Sequence, residues 1–130
     1  MKIYIAAPYP CQQEAIFLMR YLEASGHVVT SRWLREIDSL DDASARKDLL
    51  DVEKADVLLA MNPESWEHTG TGGRHVEFGY ALALNKSVIL LGKPSNIFHH
   101  LALVKVVNNH SEVFQALLDI ARGRDSIGGQ

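Results

Sequence analysis

The stretch GTGGRHVEFGYALAL, residues 70–84, places a single carboxylate among small and apolar side chains. Counted at about 100° per residue, Glu77 shares a helical face with Ala81 and Leu84 rather than with a polar stripe. One interpretation is an acid in the first helical turn, which the helix dipole stabilises by roughly 0.3–1 kcal/mol. The other is a half-buried nucleophile or general base.

The second interpretation depends on what keeps the carboxylate charged. Burial without partners raises the pKa of a carboxyl group by up to ~3–5 units, which neutralises it. A helix N-terminus and fixed donors act in the opposite direction. Arg74, Tyr80 and the loop amides are the candidate donors, and with them we expect Glu77 to stay ionised.

A second acid of similar character is Asp48, in RKDLLDVEKAD. It lies at the edge of the apolar stripe of its predicted helix, whereas Asp51 and Glu53 are predicted to point further out. A solvated helix face explains the pattern equally well. Two carboxylates beside one crevice would instead suit glycosidic chemistry, in which one acid attacks or stabilises the anomeric carbon and the other manages protons.

The elements that must position these acids alternate along the chain. Strands are predicted at Lys2–Ala7, His27–Trp33, Ala55–Met61, Ser87–Gly92 and Leu103–Val107. Helices are predicted at Gln12–Ala24, Asp41–Lys54, Arg74–Asn85 and Ser111–Arg122, with a short helical turn at Asn96–His100. This order predicts an α/β fold: a Rossmann-like three-layer sandwich of about five mostly parallel strands flanked by helices. We expect one domain over residues 1–122 and a flexible tail over 123–130.

Ligands of such folds bind in the loops that follow the strands. Two loops qualify, AAPYPCQQ after the first strand and NPESWEHTGTGG after the third. Neither carries a dinucleotide fingerprint or a Walker A sequence. Gly72 and Gly73 therefore indicate only a sharp turn or a close approach of the backbone to a ligand.

Composition restricts the class of protein. The 130 residues are 47% hydrophobic and 22% charged, typical of one globular domain. The apolar runs are too short to cross a bilayer, and the first residues lack the apolar stretch of a signal peptide, so a soluble cytoplasmic protein without membrane partners is expected. One cysteine excludes an internal disulfide framework. A net charge of −3 argues against general nucleic-acid binding.

Four blocks, in order, resemble the nucleoside 2-deoxyribosyltransferase-like family, which includes the 2'-deoxynucleoside 5'-phosphate N-hydrolases. They are IYIAAPY, the segment DLLDVEKADVLLA led by Asp48, GGRHVEFGYALALNK around Glu77, and KPSNIF. The resemblance covers nearly the whole chain. It implies a five-stranded parallel sheet, dimers or larger homo-oligomers with shared active sites, and neither a metal nor an organic cofactor.

The resemblance also implies roles for particular residues. Glu77 matches the nucleophile that displaces the base from the deoxyribose. Asp48 matches an acid that positions the sugar and passes a proton. Tyr9 matches a first-loop residue near the sugar, although it could simply pack on its own turn. Asn96 resembles a residue that reaches the 5' end of the sugar in a neighbouring subunit's site.

Other loop residues are candidates for binding substrate. Thr71 and Arg74 are placed to bind a 5'-phosphate, to which arginine can donate two hydrogen bonds. Trp66 could stack on a base as a lid or pack against its own loop. Adjacent histidines at 99 and 100 face different ways on a short helix, so they do not indicate a metal site.

The chain departs from the family pattern at two places. No acid lies shortly before Glu77, where the transferases carry one, and the first loop lacks the Ser- and Gly-rich phosphate grip of the hydrolases. We therefore expect an enzyme that cleaves the N-glycosidic bond of a (deoxy)nucleoside or its 5'-monophosphate through a glycosyl-glutamate intermediate, by hydrolysis or by transfer to another base. The alternative is a nucleotide- or nucleotide-sugar-binding module without turnover.

Overall fold

The computed structural model describes residues 1–63 and 72–128, with side chains described to residue 123. Within these residues the strands are β1 Lys2–Ala6, β2 Val28–Val29, β3 Val57–Asn62, β4 Ser87–Gly92 and β5 Val104–Val107. The α-helices are α1 Gln12–Ala24, α2 Asp42–Lys54, α3 Gly73–Ala83 and α4 His110–Gly128. Short 3-10 helices cover Tyr9–Cys11, Arg32–Leu34 and Ile97–His100.

All pairings in the sheet are parallel, and the strand order is β2-β1-β3-β4-β5. Helices α2 and α3 pack against each other and against β1, whereas α1 packs on β2 and α4 on β4 and β5. Because parallel crossovers are right-handed, α2 and α3 cover one face of the sheet and α1 the other. Helix α4 lies beside α1, since the ring of His110 is 6.3 Å from that of Tyr21. The predicted Rossmann-like three-layer fold is confirmed.

The centre of the sheet is the most deeply buried part of the molecule. Every residue of β3 is buried, as its nearly continuous apolar sequence predicts for a strand covered on both faces. Strand β1 is buried from Ile3 to Ala6. The loop that follows β1 therefore extends from the most deeply buried part of the sheet.

The second strand is shorter than predicted. The sequence pattern predicts a strand over 27–33, but β2 ends at Val29 and the chain enters a 3-10 helix at Arg32. The reason lies in one side chain: the amide of Ile5 donates to the hydroxyl of Ser31 (3.0 Å) rather than to a backbone carbonyl. Since that hydroxyl replaces the next rung of the ladder, the backbone of this edge strand is released to turn.

The last two helices also differ from their predicted ranges: α3 runs Gly73–Ala83 rather than Arg74–Asn85, and α4 runs His110–Gly128 rather than Ser111–Arg122. Gly72 precedes α3 with φ of 85°, a left-handed conformation that glycine adopts without strain. Helix α4 runs His110–Gly128, beyond the predicted end at Arg122, so the division of the chain at residue 122 stays a prediction. Helices α1 and α2 agree with their predicted ranges to within one residue.

Among the described residues, none of the helices combines the length and the apolar character that crossing a bilayer requires.

Candidate active site

A cleft of about 160 Å³ opens at the carboxyl end of β1. The chain leaves β1 toward α1 on one face of the sheet and leaves β3 toward α3 on the other. Adjacent strands whose connections diverge in this way leave a crevice between their loops, where ligands of this fold class bind. The cleft brings together six of the predicted site residues: Tyr9, Asp48, Gly72, Gly73, Arg74 and Glu77.

Three predicted residues are not part of this arrangement. Trp66 and Thr71 lie outside the described residues. Asn96 lies elsewhere, where it caps the 3-10 helix Ile97–His100: its Oδ1 accepts hydrogen bonds from the amides of Phe98 (2.9 Å) and His99 (3.2 Å). It lines a separate cavity of about 470 Å³ beside α3, and its predicted role across a subunit boundary stays a prediction.

Among the described residues, Glu77 accepts a hydrogen bond from a side chain that no sequence pattern singled out. Tyr4, fully buried in β1, donates its hydroxyl hydrogen bond to Oε2 of Glu77. Tyr80, one of the expected donors, instead donates to Glu53 on α2. One feature of the sequence could have indicated Tyr4: the hydroxyl of a tyrosine within a buried strand needs a polar partner.

The pKa of Glu77 lies well above the usual value of a glutamate. Burial raises its pKa to about 8, and the neighbouring charges of Asp48 and Asp38 raise it as well, while the hydrogen bond from Tyr4 lowers it. Among the described residues, burial outweighs the hydrogen bond from Tyr4, so the pKa is higher than the expected ionised carboxylate would have. Part of the loop whose amides were expected to donate lies outside the described residues. Burial and Glu77 itself raise the pKa of the Tyr4 phenol far above its usual value, which keeps the phenol a donor.

The position of Glu77 in α3 also tests the interpretation that it is an acid of the first helical turn, stabilised by the helix dipole. Helix α3 begins at Gly73, so Glu77 is its fifth residue and its first turn contains no acid. The influence of the helix dipole falls off within that first turn. Capping of the helix therefore does not account for this carboxylate.

Asp48 on α2 is partly buried at the same cleft. Burial raises its pKa to about 7, and a hydrogen bond to Asp38 and the charge of Asp38 add to that effect, whereas Lys47 lowers it. Its Oδ1 is shielded from solvent and finds no donor among the described residues. Burial and neighbouring charges thus hold the pKa values of both Glu77 and Asp48 well above the usual range of carboxyl groups, which is typical of groups that exchange protons with a substrate.

Asp51 does not point outward as predicted. It is 1% exposed, and its carboxylate accepts hydrogen bonds from the amide of Arg32 (3.0 Å) and from the Nε of the same residue (2.9 Å). The guanidinium Nη2 lies 2.9 Å from Oδ1. The pair fastens α2 to the 3-10 helix after β2, so this acid stabilises the wall of the cleft.

Two further residues of the cleft, Trp33 and Asp38, were missed as site residues. The Trp33 indole donates to the carbonyl of Ile5 (2.8 Å), and its ring centroid lies 6.5 Å from that of Tyr9. Asp38 lies in the loop before α2, with Oδ1 2.6 Å from the Nζ of Lys47. No periodicity selects either residue, since both follow the early end of an edge strand.

The histidine pair at 99 and 100 divides as predicted. His99 is buried, and its Nδ1 accepts a hydrogen bond from the amide of Ser95 (2.9 Å), while His100 is exposed. In the described part of the chain, no three His, Cys, Asp or Glu side chains are grouped so that they could hold a metal ion.

Comparison with solved structures places the fold. The CMP N-glycosidase BcmB of Clostridium botulinum superposes with a TM-score of 0.64 at 23% identity, over 90% of this chain and 98% of that one. The 2-deoxyribosyltransferase of Leishmania mexicana superposes with a TM-score of 0.55 at 20% identity, over 73% of this chain and 66% of that one. Neither the protein-family models nor the curated protein sequences contain a match. The chain therefore has the fold of an N-glycosidase and of a deoxyribosyltransferase, which confirms at the level of the fold the resemblance seen in the sequence.

Proposed function

We propose that the chain is an enzyme that cleaves the N-glycosidic bond of a nucleoside or a nucleoside 5'-monophosphate, with Glu77 as the nucleophile. The observation that carries the proposal is the contact between Glu77 and Tyr4 at a cleft that Asp48 also lines. A carboxylate fixed by one donor and faced by a second titratable acid suits displacement at an anomeric carbon. The folds of the two similar enzymes support the same class of reaction.

In the first step, an oxygen of ionised Glu77 forms a bond to the anomeric carbon of the sugar. The bond from that carbon to the base nitrogen breaks, and its electron pair leaves with the base. The product is a glycosyl ester of Glu77. Positive charge develops on the sugar in the transition state, and the nearby carboxylates stabilise it.

In the second step, water or the nitrogen of another base attacks the same carbon from the side that the first base left. The ester bond breaks, and its electron pair returns to Glu77. The attacking water or base nitrogen loses one proton, which balances the proton that the departed base takes up. Two displacements retain the configuration of the anomeric carbon. Water gives the free sugar or sugar phosphate, and a second base gives a new nucleoside.

The rest of the cleft supplies binding groups. Arg74 is buried at the cleft beside the first residue of α3. A guanidinium and the amides of a helix N-terminus are the groups that bind a 5'-phosphate. Tyr9 and Trp33 present aromatic rings that suit the flat faces of a sugar or a base.

The decisive experiment is a substrate panel. The protein is incubated with deoxynucleosides, ribonucleosides and their 5'-monophosphates, CMP and dCMP included, with and without a second free base, and released base is measured by chromatography. Base release without an acceptor supports hydrolysis, and a new nucleoside formed with an acceptor supports transfer. Binding by thermal shift without release from any substrate would contradict the proposal and support a sensing module.

Two variants test whether Glu77 is the reacting group. Glu77→Ala is expected to abolish base release while leaving the fold intact. The matched control is Glu53→Gln, which alters another carboxylate that accepts a tyrosine hydrogen bond but lies outside the cleft. Release by Glu77→Ala at the parent rate would remove Glu77 from the reaction.

We further propose that the protein works as a homodimer or a larger homo-oligomer. Phe98 and Ile97 are 61% and 77% exposed, and Phe98 lines the cavity that also contains Asn96 and Phe78. Exposed aromatic and aliphatic side chains beside an apolar cavity are typical of interfaces. Sedimentation of the parent protein and of Phe98→Asp tests this, and a monomeric parent would contradict it.

A further inference from the structure

Ile5 of β1 is held on both of its backbone groups by side chains that follow β2. Its amide donates to the hydroxyl of Ser31 (3.0 Å), and its carbonyl accepts a hydrogen bond from the indole Nε1 of Trp33 (2.8 Å). In a longer parallel strand, backbone groups of β2 would make these bonds. The early end of β2 therefore places an indole ring at the carboxyl end of β1, where the cleft opens.

The indole ring is fixed in place. Trp33 lines the cleft but is only 7% exposed. Its Nε1–H bond to β1 sets the orientation of the ring, and its carbonyl accepts a hydrogen bond from Nε2 of Gln12 on α1 (3.1 Å). The preceding residue, Arg32, is paired with buried Asp51 on α2. Three elements thus hold Trp33, so the ring forms a wall of the cleft that cannot move aside without breaking these contacts.

The walls of the cleft differ in chemistry. Gly72, Gly73 and Arg74, at the start of α3, offer backbone amides and a guanidinium, which suit the oxygens of a phosphate. Trp33 and Tyr9 offer aromatic rings whose centroids lie 6.5 Å apart, tilted by 36°. Aromatic rings bind the faces of bases by stacking. A nucleotide whose phosphate lies at the start of α3 would therefore have its base at Trp33.

The space inside the cleft is small. Tyr4 of β1 anchors Glu77, the next residue of the strand anchors Trp33, and the described residues bound a cleft of about 160 Å³. Clefts that enclose drug-sized ligands measure about 300–1,000 Å³. Tyr9 is 59% exposed and can turn away from a larger ligand, whereas the indole is held by its contacts. Trp33 therefore limits how far a bound base can extend.

We propose that Trp33 is a specificity-determining residue: its fixed indole closes the end of the cleft that receives the base, so that the single ring of a pyrimidine is accepted in preference to the two fused rings of a purine. This inference rests on the proposed function and narrows its substrate class. A larger group pressed against a buried side chain that cannot yield strains the packing around it. A difference of one methylene group in an apolar pocket changes kcat/KM by roughly 10- to 200-fold, and a fused ring is larger.

The test is a ratio of two rates measured on the same enzyme. The value of kcat/KM for base release is determined for two substrates that share one sugar and one phosphate state and differ only in the base, cytosine against adenine. The bonds to the two bases differ in intrinsic lability, so the quantity compared is the change in this ratio from the parent to a variant. A variant that merely folds less well loses both rates in proportion and keeps the ratio.

Trp33→Leu removes the ring and is expected to lower the cytosine-to-adenine ratio by roughly 10- to 200-fold. Trp33→Phe keeps one aromatic ring in the core and should lower the ratio by less. This second variant carries the test where Trp33→Leu does not fold, as judged by circular dichroism. A ratio that stays constant or rises in the folded variants would overturn the proposal.

Leu34→Ala is the matched control. Leu34 is the next residue of the same 3-10 helix and is 4% exposed, but it does not line the cleft. Its truncation loosens the segment without changing the wall, so both rates should fall together and the ratio should match that of the parent. A shift in Leu34→Ala as large as that in Trp33→Leu would assign the selectivity to the segment as a whole rather than to the indole, and would overturn the proposal.

A second measurement needs no turnover. Isothermal titration calorimetry compares the binding of free cytosine and free adenine to the parent and to Trp33→Phe. Cytosine that binds the parent more tightly than adenine, with a smaller difference in the variant, supports the wall. Equal or tighter binding of adenine to the parent, or no binding of either base, would overturn it. Absence of base release from every substrate would refute the proposed function, while the calorimetry still decides which base the cleft accepts.

Discussion

The hydroxyl of Tyr4 on β1 donates a hydrogen bond to Oε2 of Glu77 on α3, a contact between residues 73 positions apart in the sequence. It is the contribution that lowers the pKa of Glu77 against the effect of burial. The phenol thus favours the charged form that a nucleophile needs. At the same time the bond fixes α3 to the first strand at the edge of the cleft.

Removing this hydrogen bond is expected to impair the reaction without disturbing packing. Tyr4→Phe should raise the pKa of Glu77 further, move the limb of kcat/KM that reports Glu77 to higher pH and reduce the maximum by about 10- to 100-fold, as for loss of a hydrogen bond to a charged group. Steady-state kinetics over pH 5–10 would measure both effects. Tyr80→Phe is the control, since its phenol bonds to Glu53 away from the cleft. Equal losses in the two variants would contradict the assignment.

Burial of Glu77 should cost stability at high pH. Its pKa is about 8 in the folded protein and about 4.3 in an unfolded chain. A raised pKa contributes stability that is complete below the unfolded value and is lost as the pH rises through the folded value. Glu77→Gln keeps the shape but not the charge, so its free energy of unfolding relative to the parent should increase between pH 5 and pH 9, by about 1 kcal/mol or more. Urea denaturation at both pH values measures this, and a difference that does not change with pH would contradict the buried position.

Asp51 is expected to matter for stability rather than for chemistry. Asp51→Asn breaks a buried carboxylate's ion pair with Arg32 and should lower the free energy of unfolding by about 1–3 kcal/mol, while kcat/KM changes by less than about threefold. Asp119→Asn is the comparison. Asp119 pairs with Lys105, both side chains are largely exposed, and such pairs contribute about 0–1 kcal/mol to the free energy of unfolding. Urea denaturation measures the change in the free energy of unfolding, and base-release kinetics measure the change in kcat/KM. A large loss of kcat/KM with unchanged stability would place Asp51 in the reaction.

Tyr9 is expected to act on binding. It is 59% exposed at the rim of the cleft, with its ring near that of Trp33. Tyr9→Ala should raise KM by about 5- to 100-fold with a smaller change in kcat, as loss of one stacking surface would. Tyr21→Ala removes a similarly exposed ring on α1, outside the cleft, and should leave KM unchanged. A fall in kcat at constant KM would contradict a role limited to binding.

Much of the fold followed from local patterns. The apolar runs that became β3 and β4 are buried in the sheet, and Asp41 caps α2 by accepting a hydrogen bond from the amide of Ser44 (2.8 Å). These features depend on neighbours in the sequence, so periodicity and capping rules predict them. The early end of β2 did not follow, because the hydroxyl of Ser31 competes with a backbone carbonyl for a donor on another strand.

The features of the candidate site are likewise of two kinds: those that the sequence predicted and those that depend on tertiary contacts. Sequence alone singled out Glu77 and Asp48, because a carboxylate within or beside an apolar stripe is unusual wherever the chain folds. Only the tertiary structure decided that Tyr4 donates to Glu77, that Asp38 lines the same cleft as Asp48 and that Asp51 is held by Arg32. The charge of a buried acid depends on which distant groups surround it and how much water they exclude, and neither quantity is encoded in the spacing of residues along the chain.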